Sequence, residues 1–121
     1  MLRTFLLSKI HSATVTQRDL HYMGSITIDK ALLDATGMKA NEKVEIYNMG
    51  NGARFATYIL EGEENSGIIG VNGAAARLVS IGDNVIIVNY GMLTDDEIKN
   101  HKSKVIVMKD TQNKEFEAFE K

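Results

Sequence analysis

The sequence predicts a mainly β chain closed into a barrel, with a few short helices. Three observations predict it. Short runs rich in β-branched and aromatic residues recur along the whole chain, and several alternate apolar with polar. Only two segments carry convincing helix caps. A chain of 121 residues builds one core, and with so many strands it would leave exposed edges unless the sheet closes on itself.

The elements follow in order. The runs TFLLSKI, SATVTQ and GSITI read as the first strands. Asp29 then caps a short helix, KALLDAT, which Gly37 ends as a left-handed C′ residue. KVEIYNM and ARFATYIL form a hairpin about Asn51-Gly52, a pair suited to a type I′ turn in which both central residues have positive φ. GIIGV is a buried strand, and a helical turn capped by Asn72 follows in NGAAARLV. DNVIIVNY is the next strand. Thr94 and Glu97 make a capping box for a second helix, and KVIVMK is the last strand. The tail DTQNKEFEAFEK is charged, weakly patterned and expected to be peripheral.

Composition excludes several classes. With Lys+Arg 14 against Asp+Glu 16 and no basic cluster, neither a nucleic-acid stripe nor a polybasic membrane patch is expected. No apolar run is long enough to cross a bilayer. The N-terminus shows no cleavage site of small residues, so no secretory signal is expected and the cytoplasm is the expected compartment. The absence of cysteine removes thiolate nucleophiles, disulfides and cysteine-held metals. His11, His21 and His101 lack metal-site spacing, so no metal is expected. Any catalysis therefore falls to hydroxyls, amines, carboxylates, a borrowed cofactor or one made from the chain.

Gly24-Ser25 offers the last of these. A serine hydroxyl can attack the carbonyl before it in an N-to-O acyl shift. Glycine at that carbonyl leaves the approach open. Elimination of the ester and hydrolysis would leave a pyruvoyl group at the new N-terminus. Such a group can form a Schiff base with an amine and act as an electron sink. The plain alternative is a tight turn between strands.

Three further stretches could serve it. On a regular strand Arg54, Ala56 and Tyr58 share one face and Thr57 takes the other. Arg54 offers a fork for a carboxylate and Tyr58 a proton, or both belong to an ordinary amphipathic strand. Gly73, Ala74 and Ala75 leave backbone N–H groups open to a small anion, or serve tight packing. Lys9 shares strand parity with His11. It is either a second cation for a ligand or an edge lysine.

The stretches SKIH, LHYMGSITID, NGARFATY, VNGAAAR and GDNVII, in this order and spacing, resemble the pyruvoyl-dependent aspartate 1-decarboxylases over residues 1 to about 110. The resemblance implies a double-psi β-barrel and a homotetramer with sites between subunits. It implies conversion of L-aspartate to β-alanine and CO₂ for pantothenate and coenzyme A biosynthesis, with no pyridoxal phosphate. Ser25 would become the pyruvoyl group, separating a chain of residues 1–24 from one of 25–121 within a single domain. Tyr58 would be the proton donor, and Thr57 would assist processing and line the site. Lys9 and Arg54 would meet carboxylates, with Arg54 favoured for the one that is retained. Gly73, Ala74 and Ala75 would contact substrate, and His11, Tyr22 and Asn72 would support the pocket. Position 47, tryptophan in some relatives, is tyrosine here and is assigned no role. The rival reading is a non-catalytic β-barrel module for binding or oligomerisation.

Overall fold

The computed structural model describes residues 1–121. Nine strands and few helices make up the chain, and their order is mixed rather than sequential. Strand β1 (Leu2–Thr14) runs straight through the two segments that the sequence separates. Ser12 has φ 65 and the register with its neighbour slips between Ile10 and Ala13, so a bulge bends one long strand instead of ending it. The chain breaks for two residues and resumes as β2 (Gln17–Asp19).

That long segment closes the barrel. β1 pairs with β7 (Asn84–Thr94), which pairs with β4 (Lys43–Asn48), which pairs with β5 (Arg54–Gly62). β5 lies parallel to β3 (Ser25–Asp29), and β6 (Ile69–Asn72) lies on the other edge of β3. β6 returns to β2, the continuation of β1. Between β1 and β2, Val15 N donates to Asp83 O and Thr16 N to Ile69 O, both at 2.9 Å, so the ring has no open seam there. The chain crosses the end of β3 to bring β6 to its far edge. This mixed, crossed and closed arrangement is that of a double-psi β-barrel.

Isoleucines from six strands, Ile10, Ile26, Ile46, Ile59, Ile69 and Ile87, are fully buried inside the ring. They belong to one cluster of 18 buried residues. Each burial contributes about 2–3 kcal/mol, and the β-branched shape suits a pleated surface. Alternation fixes the faces of β3: Ile26 and Ile28 enter the core, and Ser25 and Thr27 take the opposite side.

Helix α1 (Lys30–Thr36) forms as expected, with Asp29 accepting from Ala31 N and Gly37 left-handed at φ 79. Helix α2 (Asp95–Lys99) opens on the complete Thr94–Glu97 capping box. The hairpin at Asn51-Gly52 is present, but it is not type I′. Only Gly52 has positive φ, and Gly52 N donates to Asn48 O across a four-residue loop. Asn51 uses its side chain instead: Oδ1 accepts from Ala53 N and Nδ2 donates to Leu78 O.

The tail also holds more than its pattern suggests. It supplies strand β9 (Phe116–Glu120), antiparallel to β8 (Lys104–Met108) and mostly exposed. Just before β9, Asn113 is buried and bonded to the backbone of Thr14 and Gly67.

Candidate functional site

Ser25 opens β3 and is wholly buried. Its Oγ donates to Met23 O at 3.0 Å and accepts from Asn72 Nδ2 at 3.0 Å. Sheet register makes this meeting unavoidable, because Ser25 and Asn72 are direct partners across β3 and β6. On the other edge of β3, Ile26 pairs with Ile59 in parallel, so one step back Ser25 lies beside Tyr58. Tyr58, Ser25 and Asn72 therefore form one row across three adjacent strands, about 4.8 Å apart per strand.

Asn72 departs from its expected capping role. The turn after it, Gly73–Leu78, is a 3-10 helix without a side-chain cap. Asn72 Nδ2 is used up by Ser25 Oγ and, at 3.3 Å, by Thr27 Oγ1. Gly73 at φ 74 packs against the backbone of Gly24, while Ala74 is exposed and Ala75 rests partly on the core. Gly24 itself lies outside the left-handed region, and a Cβ there would meet nothing within 4 Å. Tyr22 and Met23, just before it, are exposed.

Pairing of β5 with β4 is unbroken from Arg54 to Tyr58, so Arg54, Ala56 and Tyr58 do share a face. Thr57 takes the opposite one, paired with core residue Val44. Arg54 stacks on a residue that sequence reasoning passed over: its guanidinium carbon lies 3.7 Å from the centroid of the Tyr47 ring. The Tyr47 hydroxyl in turn reaches Glu45 Oε1 at 3.3 Å and the Tyr90 hydroxyl at 3.4 Å. Burial, the Tyr90 hydroxyl and the Glu45 charge push the Tyr47 phenol up to about 12, against the pull of Arg54. The alternation of EIYN with the partner RFAT puts Tyr47 directly opposite Arg54, and that was the available signal.

Lys9 and His11 are together on β1 but apart from Ser25. Burial, and then the charge of Lys9, hold the His11 ring below its usual range. Lys9 is not on a strand that pairs with β3, whose neighbours are β5 and β6. Neither of the two cavities of the chain is lined by Ser25, Tyr58 or Asn72. The larger, about 410 Å³, lies across β4 and β7 beside Lys43, Glu45 and Tyr90.

The residues around position 25 suit a small carbonyl group. Asn72 Nδ2 is aimed at the Ser25 oxygen, and no atom stands within 4 Å of where a Gly24 side chain would begin. No group of three or more His, Cys, Asp or Glu residues comes together in a way that could hold a metal ion. No helix is long and apolar enough to cross a membrane.

The family model for aspartate decarboxylase matches residues 1–115. The chain belongs to the aspartate decarboxylase family. It is 63% identical over 108 residues to the aspartate 1-decarboxylase of Bacillus pumilus, covering 89% of this chain and 85% of that one. It is 59% identical over 114 residues to that of Bacillus velezensis, covering 94% and 89%. A rationally designed protein, mkDPBB_sym_86, shows a partial likeness, with a TM-score of 0.48 and 19% identity over 65% of this chain and 92% of its own.

Proposed function

We propose that this member of the family is a self-processing, cytoplasmic carboxy-lyase that converts L-aspartate to β-alanine and CO₂ for pantothenate and coenzyme A biosynthesis. The observation that supports the reading is Ser25 Oγ, wholly buried and fixed by two hydrogen bonds, to Met23 O and from Asn72 Nδ2. In the cleavage, Ser25 Oγ bonds to the Gly24 carbonyl carbon, the Gly24-Ser25 C–N bond breaks, and the hydroxyl proton ends on the freed amine. Loss of the Ser25 α-proton then expels Gly24 as a carboxylate. Water adds to the remaining enamine and ammonia leaves, giving residues 1–24 and a chain of 25–121 headed by a ketone.

That pyruvoyl group supplies an electrophile for the substrate amine and an electron sink for the bond to CO₂. The side chains do the rest. Tyr58, beside position 25, returns a proton to the α-carbon. Arg54 grips the carboxylate that stays, since tight binding of the departing one would stabilise the ground state. Gly73, Ala74 and Ala75 present backbone to the substrate, and Thr57 assists cleavage at the Gly24 level. Lys9 and His11 serve the site of a neighbouring copy in a homotetramer, with Tyr22 and Asn72 in support.

Denaturing mass spectrometry of purified protein tests the reading. Two fragments meeting at residues 24 and 25, the larger without a free amine, are expected. A permanent single species of 13.4 kDa that is inactive on aspartate would leave only a binding module.

A further inference from the structure

Thr27 has no role in the site as described, yet it shares the only carboxamide that touches Ser25. Resting on the self-cleavage reading, we propose that Thr27 is a positioning residue for that cleavage, acting through Asn72.

Hydrogen counting carries the argument. The Ser25 hydroxyl has one hydrogen, and it goes to Met23 O. Asn72 must then face Ser25 with its NH₂ end, and its Nδ2 lies 3.0 Å from Ser25 Oγ. The amide has two N–H donors and both are committed, the second to Thr27 Oγ1 at 3.3 Å. Thr27 is placed for this by strand geometry: two residues beyond Ser25 on β3, it projects on the same side. Asn72 is 8% exposed, so water offers little substitute for a lost partner.

With both hydroxyls present, the carboxamide has one orientation that satisfies every donor. Without Thr27 Oγ1, one N–H of a buried amide is orphaned, and turning the amide to relieve it removes the donor from Ser25. Ser25 Oγ then loses one of the two hydrogen bonds that fix its position. Thr27 reaches Ser25 only through Asn72, so its effect on the maturation event depends on that carboxamide.

The test uses the full chain, purified soon after synthesis and followed by denaturing mass spectrometry as it cleaves. Thr27→Val keeps the shape and removes the oxygen. Its cleavage half-time should lengthen about tenfold, the scale of one lost orienting hydrogen bond. Thr27→Ser should stay within about twofold of the parent. In an Asn72→Ala background, Thr27→Val should slow cleavage no further, which a general loss of stability would not reproduce. Thr27→Ala, read the same way, serves if the valine variant does not fold. Parental cleavage rates in the folded valine or alanine variant overturn the inference alone. Equal slowing with and without Asn72 does the same. A parent chain that never cleaves overturns the inference and the self-cleavage reading together.

Discussion

Gly73 and Gly24 meet backbone to backbone: a Cβ on Gly73 would lie 2.6 Å from Gly24 Cα and 2.8 Å from Gly24 N. The close approach therefore restricts Gly73, forty-nine positions from Gly24, while a Cβ added to Gly24 itself would meet nothing within 4 Å. Gly73→Ala adds a left-handed alanine at φ 74 to that collision, a cost of about 1–3 kcal/mol for the backbone alone. The relief available is displacement of the Gly24 backbone, which carries the carbonyl to be attacked. Gly73→Ala should lower Tm and leave most of the chain uncut by mass spectrometry. A destabilised variant that cleaves at the parental rate would separate Gly73 from maturation.

Tyr58 sits beside Ser25 through parallel register, with its hydroxyl as its only proton source. Tyr58→Phe removes that oxygen and keeps the ring. The variant should cleave fully yet decarboxylate about 10²–10⁴-fold more slowly, the usual worth of a positioned acid. Rapid-quench measurement of product from cleaved protein decides it, and an unchanged rate would assign the proton to another donor.

Arg54 is exposed, so its fork needs a shelf, and the Tyr47 ring 3.7 Å away provides one. A cation–π contact at an exposed site is worth about 0.5–1 kcal/mol. Tyr47→Ala should therefore raise KM for aspartate about two- to fivefold, and Tyr47→Phe should change it little. Arg54→Lys keeps the charge but not the planar fork, so its KM should rise more than that of the Tyr47 variants. Equal KM values across the series would detach Arg54 from the substrate.

What was legible in the sequence was local or periodic. The capping roles of Asp29, Gly37 and the Thr94–Glu97 box are met within four residues of where they sit, so they could be read directly, whereas the bonds Asp29 also accepts from Asn65 N and Gly67 N could not. Period-two alternation was enough to part Thr57 from Arg54 and Tyr58. Contacts set by register were hidden. Ser25 and Asn72 are 47 residues apart, and no local pattern says which strands will flank β3. Asn51-Gly52 misled for a different reason: Asn51 satisfied the turn with its side chain, leaving only Gly52 left-handed. Tyr47 looked like an unassigned substitution until pairing placed it under Arg54.

His11 ties stability to pH. Burial first, then Lys9, disfavour its protonated ring and hold it below the ordinary 6.5. The unfolded chain then takes up the proton more readily than the folded one. The contribution of His11 is therefore complete above pH 6.5 and is lost as pH falls through the lower folded value. Tm should drop between about pH 7.5 and pH 5 more steeply in the parent than in His11→Asn. Parallel curves for the two proteins would show that this histidine is not responsible.

Asn113 is the tail residue whose loss should cost most. Its Oδ1 accepts from Thr14 N at 2.8 Å, and its Nδ2 donates to Thr14 O at 2.8 Å and Gly67 O at 2.9 Å. It thereby ties the end of β1 to the loop before β6, where the barrel closes. Its φ of 59 is one that asparagine tolerates better than alanine. Asn113→Ala orphans three buried backbone groups and adds strain, a loss on the order of 3 kcal/mol. Asn113→Gly removes the strain but not the orphans, so the pair of variants separates the two causes. In urea, both midpoints should fall well below the parent with similar slopes, and glycine should recover only the smaller share. Full recovery by glycine would mean that Asn113 is there for its backbone conformation, and that the three hydrogen bonds contribute nothing net to closing the barrel.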